Sequence, residues 1–347
     1  MAAAAGAADV SADRSVPAID ADRPAVTAAG ASVATARAEP GRCVIDAVGL
    51  SKRFGGKIAV DNLSFQVHAG QVTGFLGPNG AGKSTALRLM LGLDNGGGHT
   101  TFDGRPYRDL TDPAREVGAM LEAKACHPTR TARNHLRMLA APGRIPDRRV
   151  DEVLEIVGLT SVARKGPKSF SLGMSQRLGL AVALLGDPRV LILDEPANGL
   201  DPQGISWLRG FLQSYATSGR TVLVSSHQLA EMGKLADHLV VIGRGRLIAD
   251  MSTEEFESHW SLKSVSVRSP EADRLATVLI AHGATVAMGT AGALAVSGME
   301  QAQIGDLAGD AGIRLHELAT RVAALEEAFL EATADVQEHP LAAAGPS

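Results

Sequence analysis

Aromatic side chains are scarce, at 3% of 347 residues, so the core must be assembled from Ala, Val, Leu and Ile. Only two cysteines occur, Cys43 and Cys126, far apart and outside any CxxC or Cys/His cluster. A disulfide framework or structural zinc site is thereby disfavoured, and a reducing compartment fits. There is no run of 18 apolar residues; the best runs, 190–193 and 239–242, are strand-sized, so the chain is not expected to span a membrane itself. The amino terminus lacks a basic flank and meets Asp9 early, which does not read as a secretory signal and leaves the cytoplasm as the default location. A strongly basic block is missing too. The net charge is −4, with 25 basic against 22 acidic side chains in 43–258 and 5 against 11 in 259–347, so no nucleic-acid partner is expected.

What remains is a globular balance, 45% hydrophobic and 21% charged, with room for two domains of ordinary size. Residues 1–42 are Ala-rich with little periodicity and are expected to be a disordered leader. From Cys43 the character changes. Residues 44–50, 63–67 and 72–76 read as strands, the last running into a glycine-rich loop and a helix at 84–93, the start of a βαβ unit. Residues 115–185 are mostly helical in pattern, with helices at 132–139 and 150–157. Residues 190–193 and 221–225 read as buried parallel strands separated by a helix at 205–215. The α/β core is expected to span 43–258. An accessory α+β domain at 259–347 is read from strands at 264–267, 284–288, 293–296 and 313–316 and helices at 271–282, 299–311 and 322–333.

The strongest chemical signal is the stretch Gly77, Pro78, Asn79, Gly80, Ala81, Gly82, Lys83, Ser84 and Thr85, which fits GxxxxGK[ST] between a strand and a helix. Glycines there let backbone N–H groups turn inward around phosphate oxygens at the positive end of the helix. Lys83 would reach the β- and γ-phosphates, and the Ser84 hydroxyl would ligate Mg²⁺. A second element is the apolar strand ending in Asp194 and Glu195. A carboxylate there lies at the sheet edge where nucleotides bind, so Asp194 would hold Mg²⁺ and Glu195 would polarise the attacking water.

The phosphate loop, then 170–177 (FSLGMSQR), the strand to Pro196, Asn198 to Pro202, and Ser225 to His227 together resemble the nucleotide-binding subunit of an ABC transporter. Motifs in this order extend from about Phe54 to His227. The resemblance implies a P-loop ABC-type ATPase core of the α/β class, with an N-terminal antiparallel β-subdomain and an inserted helical subdomain. It implies ATP and Mg²⁺ as ligands. Ser171 and Gly173 match the signature that caps the γ-phosphate of ATP held by the opposite subunit. Asp201 falls in the loop that communicates across the dimer, His227 matches the γ-phosphate switch histidine, and Phe54 stands where an aromatic stacks on adenine.

Two departures are visible. Leu172 replaces the first glycine of the commonest signature, LSGGQ. Glu122 stands where the family usually has Gln, and some drug- and peptide-export members resemble this chain in carrying Glu there; it can ligate Mg²⁺ or a water, or it could lower the hydrolysis rate.

With one ATPase domain per chain, the resemblance implies ATP-driven pairing with a second ATPase subunit, a homodimer in the simplest case. It also implies a separately encoded transmembrane permease, through which this chain would sit peripherally on the inner, cytoplasmic face of the cell membrane. A single ATPase domain with an acidic α+β tail most resembles the ATPases of antibiotic-resistance and ABC-2 type exporters, which move drug-, antibiotic- or lipid-like substrates. An importer ATPase shares the same motifs, and a soluble ABC-type factor acting on ribosomes is the reading from another class, against which stand the single ATPase domain and the acidic tail. A DNA-repair ATPase fits poorly, since the residues between Lys83 and Asp194 contain no heptads.

Overall fold

The computed structural model describes residues 41–121, 127, 129–260, 263–288 and 293–322. The leader expected over 1–42, apart from its last two residues, the helix expected over 322–333, apart from Val322, and Glu122 and Cys126 lie outside the described residues. In chain order the elements are β1 (Cys43–Phe54), β2 (Lys57–His68), β3 (Val72–Leu76), α1 (Lys83–Met90), β4 (Gly97–Phe102), α2 (Pro113–Glu116), β5 (Val117–Met120), α3 (Ala132–Ala140), α4 (Asp147–Ile156), α5 (Leu172–Leu184), β6 (Val190–Asp194), α6 (Pro202–Thr217), β7 (Thr221–Ser226), α7 (Leu229–Gly233), β8 (His238–Gly243) and β9 (Arg246–Ser252). They continue with α8 (Thr253–Trp260), β10 (Lys263–Arg268), α9 (Ala272–Ala281), β11 (Thr285–Met288), β12 (Leu294–Ser297), α10 (Gln301–Asp310) and β13 (Glu317–Val322).

Three sheets organise these elements. β2, β1 and β4 form an antiparallel sheet in that order. The main sheet runs β5-β6-β7-β3-β8-β9, parallel except for the β8–β9 pair. Strands β3, β6, β7 and β8 are buried on both faces, which is why they read as continuous runs without alternation. In β6, Val190 and Ile192 face α1 and the antiparallel sheet, whereas Leu191 and Leu193 face the core formed with α3 to α6. The few aromatics are placed where area matters. Phe65 of β2 stacks on Phe75 of β3 at 5.2 Å between centroids, joining the small sheet to the large one.

The helices between β5 and β6 form the inserted helical layer. α3 is amphipathic, capped by Thr131, whose side chain accepts from the Asn134 N–H, and it buries Leu136 and Ala140 against α4 and α5. One strand, β5, interrupts the stretch read as mostly helical.

The last sheet, β11-β12-β10-β13, is wholly antiparallel with βαββαβ connectivity, the split βαβ arrangement. Its core is Val265, Val267, Leu294 and Val296 against Leu275, Leu279 and Ile304. The strand expected at 313–316 is a correction. The strand begins at Glu317, and the apolar signal of Ile313 belongs to the end of α10. There the Ile313 N–H donates to the Ala308 carbonyl at 2.8 Å and the Gly312 N–H to Gly309 at 3.0 Å. That is a helix-terminating pattern in which an apolar residue just past the turn packs back on the core; Ile313 is accordingly buried.

Candidate functional site

The site is built where three parallel strands end level. Leu76 of β3 lies opposite Ser226 of β7, and Ser225 lies opposite Asp194 of β6. The loops that follow therefore open on one edge, the carboxyl end of the sheet.

The loop after β3 is the glycine-rich segment. Its shape is forced at Gly82, which has φ +106°, and a Cβ there would sit 2.3 Å from the Ala59 carbonyl oxygen. Only glycine lets the loop press against the hairpin that carries Phe54. Gly245 completes the joint, its N–H donating to Ala81 and its carbonyl accepting from Asp61. Asn79, Gly80 and Ser84 are exposed on the loop, and Thr85 is half-buried. Phe54 is 54% exposed, with the Lys52 ammonium 5.0 Å from its ring centroid.

Lys83, only 6% exposed, donates to the Gly77 carbonyl at 2.7 Å, and its Nζ lies 3.2 Å from Glu195 Oε1. The other carboxylate oxygen of Glu195 meets His227 Nδ1 at 2.9 Å. With Glu195 ionised, Nδ1 carries the proton of that bond and Nε2 is the ring's remaining nitrogen. Glu195 thus sits between two cationic or proton-bearing partners. Its backbone holds φ +49°, a left-handed conformation that a non-glycine residue rarely adopts and that aims the side chain back over the sheet edge.

Ser225 opens the Ser225-to-His227 motif, where the sequence assigns it no role of its own, and in the structure it holds this arrangement together. Its hydroxyl donates to Asp194 Oδ1 and accepts from the Glu195 N–H at 3.0 Å. For that linking role the local signal is a serine near the end of a buried apolar strand. Ser225 is fully buried, so Ser225→Ala is expected to destabilise the protein by about 1–3 kcal/mol, because it takes the hydroxyl away from the half-buried Glu195 N–H and from an Asp194 carboxylate oxygen. A denaturant titration checks this; unchanged stability would show the bonds to be dispensable.

A second group forms along the chain from Glu195. Ser171 caps α5, its Oγ accepting from the Met174 N–H at 3.2 Å. Asp201 caps α6, its Oδ1 accepting from the Gly204 N–H at 2.8 Å. The two helix starts adjoin: a Cβ on Gly173 would lie 3.1 Å from the Gly199 carbonyl oxygen. Arg177 of α5 stacks over Trp207 of α6 at 5.2 Å and donates to Val157 O at 3.3 Å. Burial pulls the Arg177 pKa below its ordinary value, while the Asp201 carboxylate pulls the other way.

Of the residues expected at the site, the structure brings Lys83 and His227 directly onto Glu195, links Asp194 to Glu195 through Ser225, and sets Ser84 and Thr85 next to Lys83. Phe54 stands on the abutting hairpin, and Ser171, Gly173 and Asp201 form the neighbouring group. The donors for a metal are oxygens only, and among the described residues no group of three or more His, Cys, Asp or Glu could hold one. Also among them, no helix is long and apolar enough to cross a membrane.

A family model described as "ABC transporter" matches residues 60–198, and one described as a domain of unknown function matches 263–326. The chain is similar to the uncharacterized ABC transporter ATP-binding protein YhcH of Bacillus subtilis, 34% identical over 86% of this chain and 98% of that protein. The bacitracin transport ATP-binding protein BcrA of Bacillus licheniformis is 41% identical over 60% of this chain and 69% of its own length. The lantibiotic transport ATP-binding protein SrtF of Streptococcus pyogenes is 35% identical over 60% of this chain and 91% of its own. Among solved structures, an ATP-binding subunit of an ABC transporter superposes with a TM-score of 0.57 at 26% identity, covering 62% of this chain and 93% of that one. The dimeric cassette MJ0796 shares the fold, with a TM-score of 0.55 at 22% identity over 60% of this chain and 98% of its own. With a full-length relative at this identity and a phosphate loop, Asp-Glu strand end and histidine converging on one sheet edge, the chain belongs to the ATP-binding subunits of ABC transporters, the ATPases of that family.

Proposed function

We propose that this ATPase works as a homodimer on the inner face of the membrane and drives a separately encoded permease that exports an antibiotic-like or lipid-like molecule. The observation that carries the reading is Glu195, held between Lys83 and His227 where β3, β6 and β7 end. The names of BcrA and SrtF, which concern bacitracin and lantibiotic transport, support export of such compounds. On this reading residues 43–258 are the nucleotide-binding domain and 259–347 an accessory domain.

In each composite site the triphosphate lies in the loop 77–85 with adenine against Phe54. The backbone N–H groups of the loop and Lys83 hold the β- and γ-phosphates. Ser84, Asp194 and Glu122 would hold Mg²⁺, whose hard oxygen preference they match, and the metal would offset phosphate charge. Glu195 orients the attacking water and accepts its proton, and His227 contacts the γ-phosphate. Ser171 and Gly173, at the N-terminus of α5 in the second copy, close over the γ-phosphate, and Asp201 faces the partner. ADP lacks the bridging group, so closure follows ATP.

The permease would dock in a groove of about 800 Å³ between the main sheet and α3. Leu93, Met138 and Leu139 offer exposed apolar side chains there, beside Arg130 and His135. His135 is 5% exposed, its Nδ1 has no hydrogen-bond partner among the described residues, and burial, with Arg130 nearby, lowers its pKa and keeps the ring neutral at neutral pH. An amphipathic cytoplasmic helix is the shape and chemistry such a groove takes.

Tagged Glu195→Gln protein, incubated with detergent-solubilised membranes, ATP and Mg²⁺, is expected to retain a polytopic membrane protein. The same bait carrying Met138→Asp and Leu139→Asp should lose it while binding ATP within about twofold of the parent. Recovery of ribosomes or nucleic acid without a membrane protein would overturn the transport reading.

A further inference from the structure

We propose that Leu172 is a positioning residue that keys the signature turn to the loop carrying Glu195, so that hydrolysis in one composite site depends on the γ-phosphate held in the other. The inference rests on the two-copy site described above. The position is unusual because a residue with a large side chain stands where the commonest signature has glycine.

Leu172 is 47% exposed, yet its side chain is engaged. It lies across Gly199, where a Cβ would come within 2.2 Å of Leu172 Cδ2 and 2.4 Å of Cγ. Gly199 has φ +77°, so both its backbone conformation and the leucine above it demand glycine. Gly173 approaches the same residue from beside the leucine. The start of α5 is therefore fitted onto one point of the loop that leads from β6 to α6.

That loop has little slack. Asn198 N–H donates to the Glu195 carbonyl at 3.2 Å, and Leu200 N–H to Ala197 at 3.1 Å. Asp201 then caps α6. From Glu195 to α6 the chain is a series of bonded turns. Further along the same two helices, Arg177 stacked on Trp207 pins α5 to α6 a second time. With two pins and no slack, a displacement of the signature turn moves the loop as a body instead of being absorbed by it.

The two ends of this body serve different sites. Ser171 at its outer end meets the γ-phosphate in the partner's phosphate loop. Glu195 at its inner end serves the phosphate loop of its own chain, within 3.2 Å of Lys83. A small shift of a proton acceptor is enough to change the rate. Leu172 over Gly199 is the contact through which occupancy of one site reaches the carboxylate of the other.

The test is Leu172→Ala, which clears the space over Gly199 and keeps helix propensity at the start of α5. We expect ATP affinity of the monomer within about twofold of wild type. We also expect kcat to fall by about tenfold and the Hill coefficient for ATP to fall to about 1, a size typical of site-to-site coupling. Leu172→Met, which refills the space, should restore both. The double variant Leu172→Ala, Glu195→Gln should still form an ATP-bound dimer on sizing, because the contact positions the carboxylate and does not hold the dimer together. Wild-type kcat and cooperativity in Leu172→Ala would overturn the proposal. So would a double variant that stays monomeric, since Leu172 would then be a plain interface contact. Failure of Glu195→Gln alone to dimerise would instead strike at the two-copy reading beneath it.

Discussion

Replacing Glu195 by Gln is expected to lower steady-state ATP hydrolysis by about 10²- to 10⁴-fold, the usual contribution of a positioned general base, and to accumulate an ATP-bound dimer. Gln keeps the size of the side chain and an oxygen that can still face Lys83 and His227, so the surroundings, including the φ of +49°, need not change. What Gln loses is the ability to accept a proton from water. Binding and closure precede that step, so the closed state should persist once formed. Phosphate release measures the first effect, and size-exclusion chromatography with ATP and Mg²⁺ the second. A monomer under those conditions, or wild-type phosphate release, would remove Glu195 from its role.

Replacing Lys83 by Ala should have the second large effect, a loss of ATP affinity on the order of 10²-fold, equivalent to about 3 kcal/mol. Lys83 is buried, and its Nζ is already held by the Gly77 carbonyl and the Glu195 carboxylate, so its position is set before any phosphate arrives. Such preorganisation means that the loss on truncation is the full charge-assisted contact, with little reorganisation to offset it. The variant also leaves Glu195 paired with His227 alone. A fluorescent-nucleotide titration reads the affinity; an unchanged value would contradict the cradle argument and leave the backbone N–H groups as the whole of the phosphate site.

Both predictions concern residues that are legible in the amino-acid sequence. The phosphate loop and the strand ending in Asp194 and Glu195 are local patterns, in which glycine spacing or an apolar run closed by carboxylates has one economical backbone solution. Strands β3, β6 and β7 are legible within a residue of their bounds for the same reason, being short apolar runs bounded by turns. Legibility fails where one signal serves two structures. An apolar residue a few places before β13 looks like a strand start, but in Ile313 it terminates α10. Within the stretch of mostly helical pattern, the apolar run of β5 is one strand.

The sequence by itself determined the class of fold, the phosphate-binding chemistry and the order of the motifs, since these depend on residue type and short-range spacing. Tertiary structure alone decided which of the motifs meet. Lys83 and Glu195 touch only because β6 and β3 flank β7 in the sheet, and His227 reaches Glu195 only because β7 lies between them. Ser225 became a link between Asp194 and Glu195, and Leu172 a key over Gly199, for the same reason. A contact between residues distant in the chain is set by strand order and helix packing. No single position in the sequence carries that information.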